Sequence, residues 1–458
     1  MQTMLVNMKL KNVLAIGLLF FLFNCGKDDT PPQTFIITFD SQGGTPVDPI
    51  TVTAPATTIA NLPVPTKTGF IFAGWFTNVN GGGTPFTTSS IVNANTTVYA
   101  FWQHVPYTVT FDSQGGTAVS SVIIEAPATT IGTLPAPPTK TRATFGGWST
   151  TAEGSTLFTA DTPVTDDITV YAIWNWIAGT LPSSANWQSV TYGNGIFVAI
   201  ANGSNQAATS QDGITWTAQT LPDNVTTLTS VTYGNGIFVA VSEGTHQTVT
   251  SPDGVTWTER TVPIPYSWVA VSYGNGIFVA TSANNIVATS PDGITWTKQT
   301  PPGSFNVWYA ITYGNGVFTM LGYATSIAMT SPDGVNWTQR TLPCISATGD
   351  SGWNSVAYGN GTFVAISTGG CNFAATSPDG ITWTARTLPG NIYWKQVAYG
   401  NNTFVAMVAN KNQVITSADG INWTYKNLPG SSNWSSIAYG NGIFVIIAKG
   451  SNQVATSP

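Results

Sequence analysis

Charge is scarce in this chain. Asp, Glu, Lys and Arg together make up 7% of its 458 residues, against about a quarter in an ordinary globular chain. Only four residues are arginine: Arg142, Arg260, Arg340 and Arg386. The formal net charge is −6. A nucleic-acid surface needs clustered Lys and Arg to neutralise phosphates, and no such cluster occurs, so no nucleic-acid partner is expected. Histidine is nearly missing, with His104 and His246 alone. That argues against a His metal cluster or a Ser-His-Asp triad. The three cysteines, Cys25, Cys344 and Cys371, form no Cys-x-x-Cys pair, and there is no P-loop or dinucleotide fingerprint. Neither a metal nor a cofactor is expected. No apolar run reaches the ~20 residues of a spanning helix.

The longest apolar run, Val13 to Phe23, follows the basic Lys9 and Lys11. It reads as the apolar part of a signal peptide covering residues 1–24. It ends in "LFNCGKDD", which resembles a bacterial lipobox with Cys25 as the lipidated residue. "GKDD" resembles the signal that exports lipoproteins of the Bacteroidota to the cell exterior. The resemblance implies an outer-membrane protein whose membrane partner is its own N-terminal lipid. Residues 25–34, ending in "TPPQT", read as a tether.

Two stretches say the same thing twice. Residues 35–102 open on "FIITFDSQGGTPV" and close on "TTVYAFW"; residues 107–174 open on "YTVTFDSQGGTAV" and close on "ITVYAIW". Alternation puts Tyr107, Val109 and Phe111 on one strand face and Thr108 and Thr110 on the other. "DSQGG" is a turn. With the centres "PTKTGFIFAGW" and "PTKTRATFGGW", these units resemble the internalin-type B-repeat, the Listeria–Bacteroides repeat. That implies small β-grasp-like modules used as a stalk or weak adhesive on bacterial surfaces. Arg142 stands where the first copy has Gly69, so a different turn is expected there.

From residue 175 onward the period is about 40. The Tyr of "YGNG" recurs at Tyr192, Tyr233, Tyr273, Tyr313, Tyr358, Tyr399 and Tyr439. Units of this length with four short strands point to a β-propeller. The last unit stops at "NQVATSP", short of a fourth strand. "WIAGTLP" at Trp176–Pro182 aligns with "WTAQTLP" and can supply that strand. The expected fold is mainly β: two small β-grasp-like repeats, then a seven-bladed β-propeller over 175–458 closed by its N-terminal strand.

"SPDGITW" recurs, with small changes, around Asp212, Asp253, Asp292, Asp333, Asp379 and Asp419. It resembles the Asp-box of sialidase-like propellers, one residue shorter. Asp can accept hydrogen bonds from nearby backbone N–H groups and Gly permits the tight turn, so the six acids read as structural. A sialidase would also need an arginine triad. Here Arg260, Arg340 and Arg386 share one position in the outermost strand. No carboxylate pair suits glycoside hydrolysis, so no catalytic residue is assigned.

Function is expected on the face opposite "YGNG" and "SPDG", where the loops differ from copy to copy. Strand one starts there with Trp187, Trp268, Trp308, Trp353, Trp394 and Trp434, joined by Tyr266, Phe305 and Tyr393. Such aromatics could grip a glycan or peptide, or could simply pack blade against blade. Cys344 and Cys371 fall in loops at that same end and are expected to form a disulfide. The resulting expectation is a non-catalytic surface protein binding an extracellular glycan or protein. The alternatives are a sialidase-like glycan-active enzyme and a purely structural surface or assembly factor.

Overall fold

The computed structural model describes residues 31–125, 128–303, 307–323, 325–343, 352–368, 372–390 and 392–458. The chain divides into two compact units. One holds the first repeat; the other begins at Tyr107 and holds the second repeat with everything after it.

In the first unit, five strands form one mixed sheet. Its order is Ile50–Thr53, Thr34–Asp40, Thr96–His104, Phe70–Phe76 and Pro85–Phe86. The central pair runs parallel, with Ile37 opposite Thr96. Alternation buries Ile37, Phe39, Val98 and Ala100 around Trp75. The second repeat has the same order and the same parallel pair, with Ile168 opposite Val109. Val109 and Phe111 are buried and Thr110 is exposed, as the alternation predicts. No α-helix is present among the described residues of either repeat, only a short 3-10 turn at Val79–Gly81. The expected difference at Arg142 does not occur. Arg142 has φ +59° and Gly69 has φ +78°, so arginine adopts the left-handed backbone that glycine takes in the other copy.

The rest of the second unit is a β-propeller. Five four-stranded sheets are built from consecutive strands, and a six-stranded one joins the two ends of the region. In that sheet the long strand Ile177–Gly193 serves twice. Its start pairs Ile177–Thr180 with Gln453–Thr456, and its end pairs Trp187–Gly193 with Ile196–Ala201. Seven groups of four strands result, and the N-terminal strand completes the last of them, as expected.

The ring closes through a repeated joint. In each "YGNG" the first glycine lies against the tyrosine of the following blade. A Cβ on Gly193 would meet the Tyr233 ring at 2.0 Å, and one on Gly440 would meet Tyr192 at 2.0 Å, which closes the circle. Asn of the same motif reaches the next blade as well: Asn275 Nδ2 donates to the Pro332 carbonyl at 3.1 Å. Within a blade the tyrosine stacks on the following phenylalanine, as Tyr358 does on Phe363 at 4.6 Å. The motif therefore makes both the hairpin and the seam between blades. In blade six the motif reads "YGNN", and Asn402 takes φ +54°, the left-handed backbone that glycine has there in other blades, as at Gly195 with φ +80°.

Candidate functional site: the mouth of the central channel

Strand one of every blade lines the channel. Trp187, Trp268, Trp308, Trp353, Trp394 and Trp434 are 0–1% exposed. Each packs into the preceding blade. Trp394, for example, packs with Val364 and Ile366, and Trp434 with Val405 and Met407. These six side chains cannot stack on a ligand, and that corrects the sequence-based assignment. The residue after each tryptophan, and after Leu228 that stands in its place in blade two, sits at a register shift in strand one and lines the channel instead. Those seven residues are Gln188, Thr229, Val269, Tyr309, Asn354, Lys395 and Ser435, and all of them line one cavity of about 410 Å³. No two are alike.

A second ring lies where strand two ends. Its backbone N–H groups bond back to the segment just before strand one. Asn202 N–H donates to Asn186 O at 2.9 Å, Glu243 to Thr227 at 2.9 Å, Ala283 to Ser267 at 3.0 Å, Tyr323 to Val307 at 3.0 Å, Thr368 to Gly352 at 2.9 Å and Lys449 to Asn433 at 2.8 Å. This equivalence places six dissimilar side chains beside the first ring.

Below the rings, the residue two after the tryptophan position ties neighbouring blades together. Ser189 Oγ accepts from Val231 N–H at 3.2 Å, Ser230 from Val271 at 3.2 Å, Ser355 from Val397 at 3.1 Å and Ser436 from Val190 at 3.2 Å. Gln396 Oε1 serves Ile437 N–H at 2.9 Å. The last two junctions carry Ala270 and Ala310, whose methyl groups accept nothing. Among the described residues, the N–H groups of Ile311 and Val356, in the equivalent register, therefore meet no such side-chain acceptor across the junction.

Electrostatics divide the mouth. Desolvation, then the Tyr323 and Glu243 charges, raises the pKa of Tyr309. Desolvation at the wall, then the neighbouring Lys449 ammonium, lowers that of Lys395. Among the described residues, neither lysine has a carboxylate partner.

Residues 35–101 and 107–173 match the Listeria–Bacteroides repeat domain. Residues 148–265 and 290–442, more than half of the chain, match the DUF6242 beta propeller domain. The chain belongs to the DUF6242 β-propeller family.

Two curated relatives of this DUF6242 chain come from Evansella cellulosilytica. One, a "Putative Gly-rich membrane protein", is 35% identical over 145 residues, covering 31% of this chain and 16% of that protein. The other, a "Putative membrane protein", is 32% identical over 145 residues, covering 31% and 21%. The chain thus spans about a fifth or less of the length of these relatives. Among solved structures, virginiamycin B lyase from Staphylococcus aureus superimposes with TM-score 0.55 at 13% identity, covering 62% of this chain and 98% of that one. A streptogramin B lyase gives 0.54 at 13%, with the same coverages. At such identity the likeness is one of fold alone. No catalytic family is indicated.

The other sequence-derived candidates of the DUF6242 chain fall as follows. Tyr266 is half-buried and packs edge-on against Trp268 at 6.3 Å. Tyr393 is 64% exposed but does not line the cavity. Phe305, Cys25 and the pair Cys344 and Cys371 lie outside the described residues.

The six repeated acids each sit in a turn of their own. Asp292 Oδ1 accepts from Ile294 N–H at 2.8 Å, Thr295 N–H at 2.7 Å and Ser290 Oγ at 3.0 Å. The following indole closes the turn, Trp296 Nε1 donating to Gly293 O at 3.1 Å. That indole is buried against Val239 and Val241 of the preceding blade. The same pattern holds at Asp212, Asp253, Asp333, Asp379 and Asp419. For Asp333 and Asp419, burial pulls the pKa up. Two backbone N–H donors and the Asn336 or Asn422 amide outweigh it and hold the carboxyl at about 2. Arg260, Arg340 and Arg386 each donate through Nε to a threonine of their own blade, Thr250, Thr330 and Thr376, at 3.1, 3.0 and 2.9 Å. They sit on three separate outer strands, Thr258–Tyr266, Thr338–Thr341 and Thr384–Thr387.

The signal missed in the sequence was the residue after each tryptophan. Aligning the copies shows that column changing in every blade, whereas the one before it is Trp in six of the seven.

Proposed function

We propose that this protein is a lipid-anchored surface protein whose propeller captures an extracellular glycan or protein at the channel mouth, without chemical turnover. In this reading, Cys25 carries the lipid at the outer membrane and the two B-repeats form a stalk. The propeller is a seven-bladed ring with Asp-box-like turns as scaffold. The observation that carries the reading is the seven-fold dissimilarity of Gln188, Thr229, Val269, Tyr309, Asn354, Lys395 and Ser435 around one cavity. A closed ring needs sameness at its joints, and a ligand needs differentiated contacts. Glu243 is the cavity's single carboxylate, which suits recognition better than paired acid-base chemistry. The membrane-protein names of the two relatives support the location.

The test has two parts. Cells expressing the full chain are labelled with an alkyne fatty acid, and label is expected on the parent and not on Cys25→Ala. The purified chain is then screened against glycan and protein arrays. Hits should weaken in Asn354→Ala and Lys395→Ala at unchanged melting temperature. Hits indifferent to every substitution at the mouth, or measurable turnover of a bound glycan, would overturn the reading.

A further inference from the structure

We propose that the ligand of the channel mouth is an anionic saccharide, its pyranose face on Tyr309 and Tyr323 and its carboxylate or sulfate on Lys395 and Lys449. This rests on the reading of the mouth as a ligand site and deepens it.

The aromatic side comes from blade four. Tyr309 and Tyr323 belong to the two different rings, and their side chains meet at 5.0 Å with 31° between planes. They are 41% and 44% exposed. Two half-exposed tyrosines in tilted, offset contact form a platform that presents an outer ring face with polar hydroxyl tips. Next to it the wall is small and apolar, with Val269, Ala270 and Ala310. The platform thus has room for a flat-faced ring rather than another side chain.

The polar groups around that platform fit hydroxyls. Among the described residues, the Ile311 and Val356 N–H groups are the two strand-one donors at these junctions that face alanine instead of a hydroxyl or amide acceptor on the preceding blade. Glu243 exerts its charge on Tyr309 and supplies an acceptor. Donors and an acceptor around an aromatic platform suit a ligand with alternating hydroxyl groups better than an apolar one.

The charged side comes from blades six and seven. Lys395 belongs to the first ring and Lys449 to the second, one blade on, close enough to feel each other. In a chain of 14 basic residues and net charge −6, two lysines from separate repeats lie within electrostatic range of each other, and among the described residues neither has a carboxylate partner. A charge-assisted bond to an incoming anion relieves that repulsion. Low charge elsewhere leaves this site prominent in the field of the molecule.

The experiment titrates the full chain with oligogalacturonate, a heparin-derived oligosaccharide, neutral malto-oligosaccharide and poly-glutamate, read by calorimetry. At least one acidic sugar should bind roughly tenfold or more tighter than the neutral one, since a charged hydrogen bond contributes about that factor. Preference between galacturonate and heparin assigns the anion as carboxylate or sulfate. Lys395→Gln with Lys449→Gln should lose that factor, and Lys395→Arg with Lys449→Arg should keep it. Tyr309→Ala with Tyr323→Ala should abolish saccharide binding. Failure of both acidic sugars to bind, unchanged affinity in the double glutamine variant, or poly-glutamate binding that survives loss of both tyrosines would each overturn the proposal. If a neutral glycan or a protein instead binds and is lost on Asn354→Ala, capture at the mouth stands and its anionic character falls. If no ligand responds to any mouth substitution, both fall together.

Discussion

Trp394 and Lys395 are neighbours in the chain with opposite surroundings. Trp394 is fully buried between two blades, and among the described residues its indole N–H has no hydrogen-bond partner; Lys395 lines the channel. Trp394→Ala should therefore lower stability by about 3–5 kcal/mol, the usual cost of emptying a large aromatic site. Lys395→Ala should leave the melting temperature within a degree or two while altering ligand capture. Thermal unfolding of the two variants side by side checks this; similar losses in both would show that the channel residue is also part of the packing. The comparison explains why the six tryptophans read as a binding surface in the sequence and yet are buried. Large aromatics at a loop edge look like a binding surface, but a position kept as Trp in six blades is kept by packing. The column that differs at every copy was legible in the alignment of the repeats. Which way it faced followed only once the strand's inner and outer sides were known. The acids offer a second test at this scale. Asp333 and Asp419 are held at about 2, below their usual value near 3.9. A depressed carboxyl stabilises the fold above the unfolded pKa, and that contribution disappears as pH falls through the folded one. Denaturant midpoints should be flat above pH 5 and fall between about pH 4 and 2. Asp333→Asn with Asp419→Asn should shrink that fall; an unchanged profile would rule out these turns as its source.

At the scale of elements, the "YGNG" hairpin and the joint between blades are one object. The hairpin was legible from Asn-Gly alone. The joint was not, because nothing in a single repeat says that its first glycine lies under the next repeat's tyrosine. A Cβ at Gly274 would lie 2.1 Å from the Tyr313 ring, so Gly274→Ala must push blades three and four apart. Overpacking of this kind costs about 1–3 kcal/mol, and the loss should appear as a lowered melting temperature. Gly274→Ala combined with Tyr313→Ala should fall short of the sum of the two single losses, since the small side chain relieves the clash. Strict additivity of the pair would mean that the joint is not where the strain arises. The second repeat shows the same kind of contact between elements. Lys426 of blade six donates through Nζ to the Glu153 carbonyl, which links that repeat to the propeller within one compact unit. No periodicity within either region could announce such a contact.

For the whole molecule, the decisive feature is that the ring is closed by strands far apart in sequence. The missing fourth strand and its stand-in at Trp176–Pro182 were readable because the repeats are so alike. The structure adds what the closure holds together. Thr456 Oγ1 donates to Gly213 O at 2.9 Å, and Phe444 N–H donates to Ser457 Oγ at 2.8 Å. The last residues thus fasten the first blade's turn as well as their own sheet. Removing residues 451–458 would take away the strand that pairs with Ile177–Thr180 and expose two strand edges that are paired in the intact ring. A closed propeller unfolds as one unit only while each blade is supported on both sides. The truncated chain should therefore lose its single sharp thermal transition. Amide protection should fall first in the sheets next to the break, those containing Trp187–Gly193 and Trp434–Gly440, and last in the sheet containing Trp308–Gly314 on the far side. Hydrogen exchange followed by mass spectrometry resolves the order. Uniform loss of protection around the ring would show that stability is shared through the channel-lining strands rather than passed from blade to neighbouring blade.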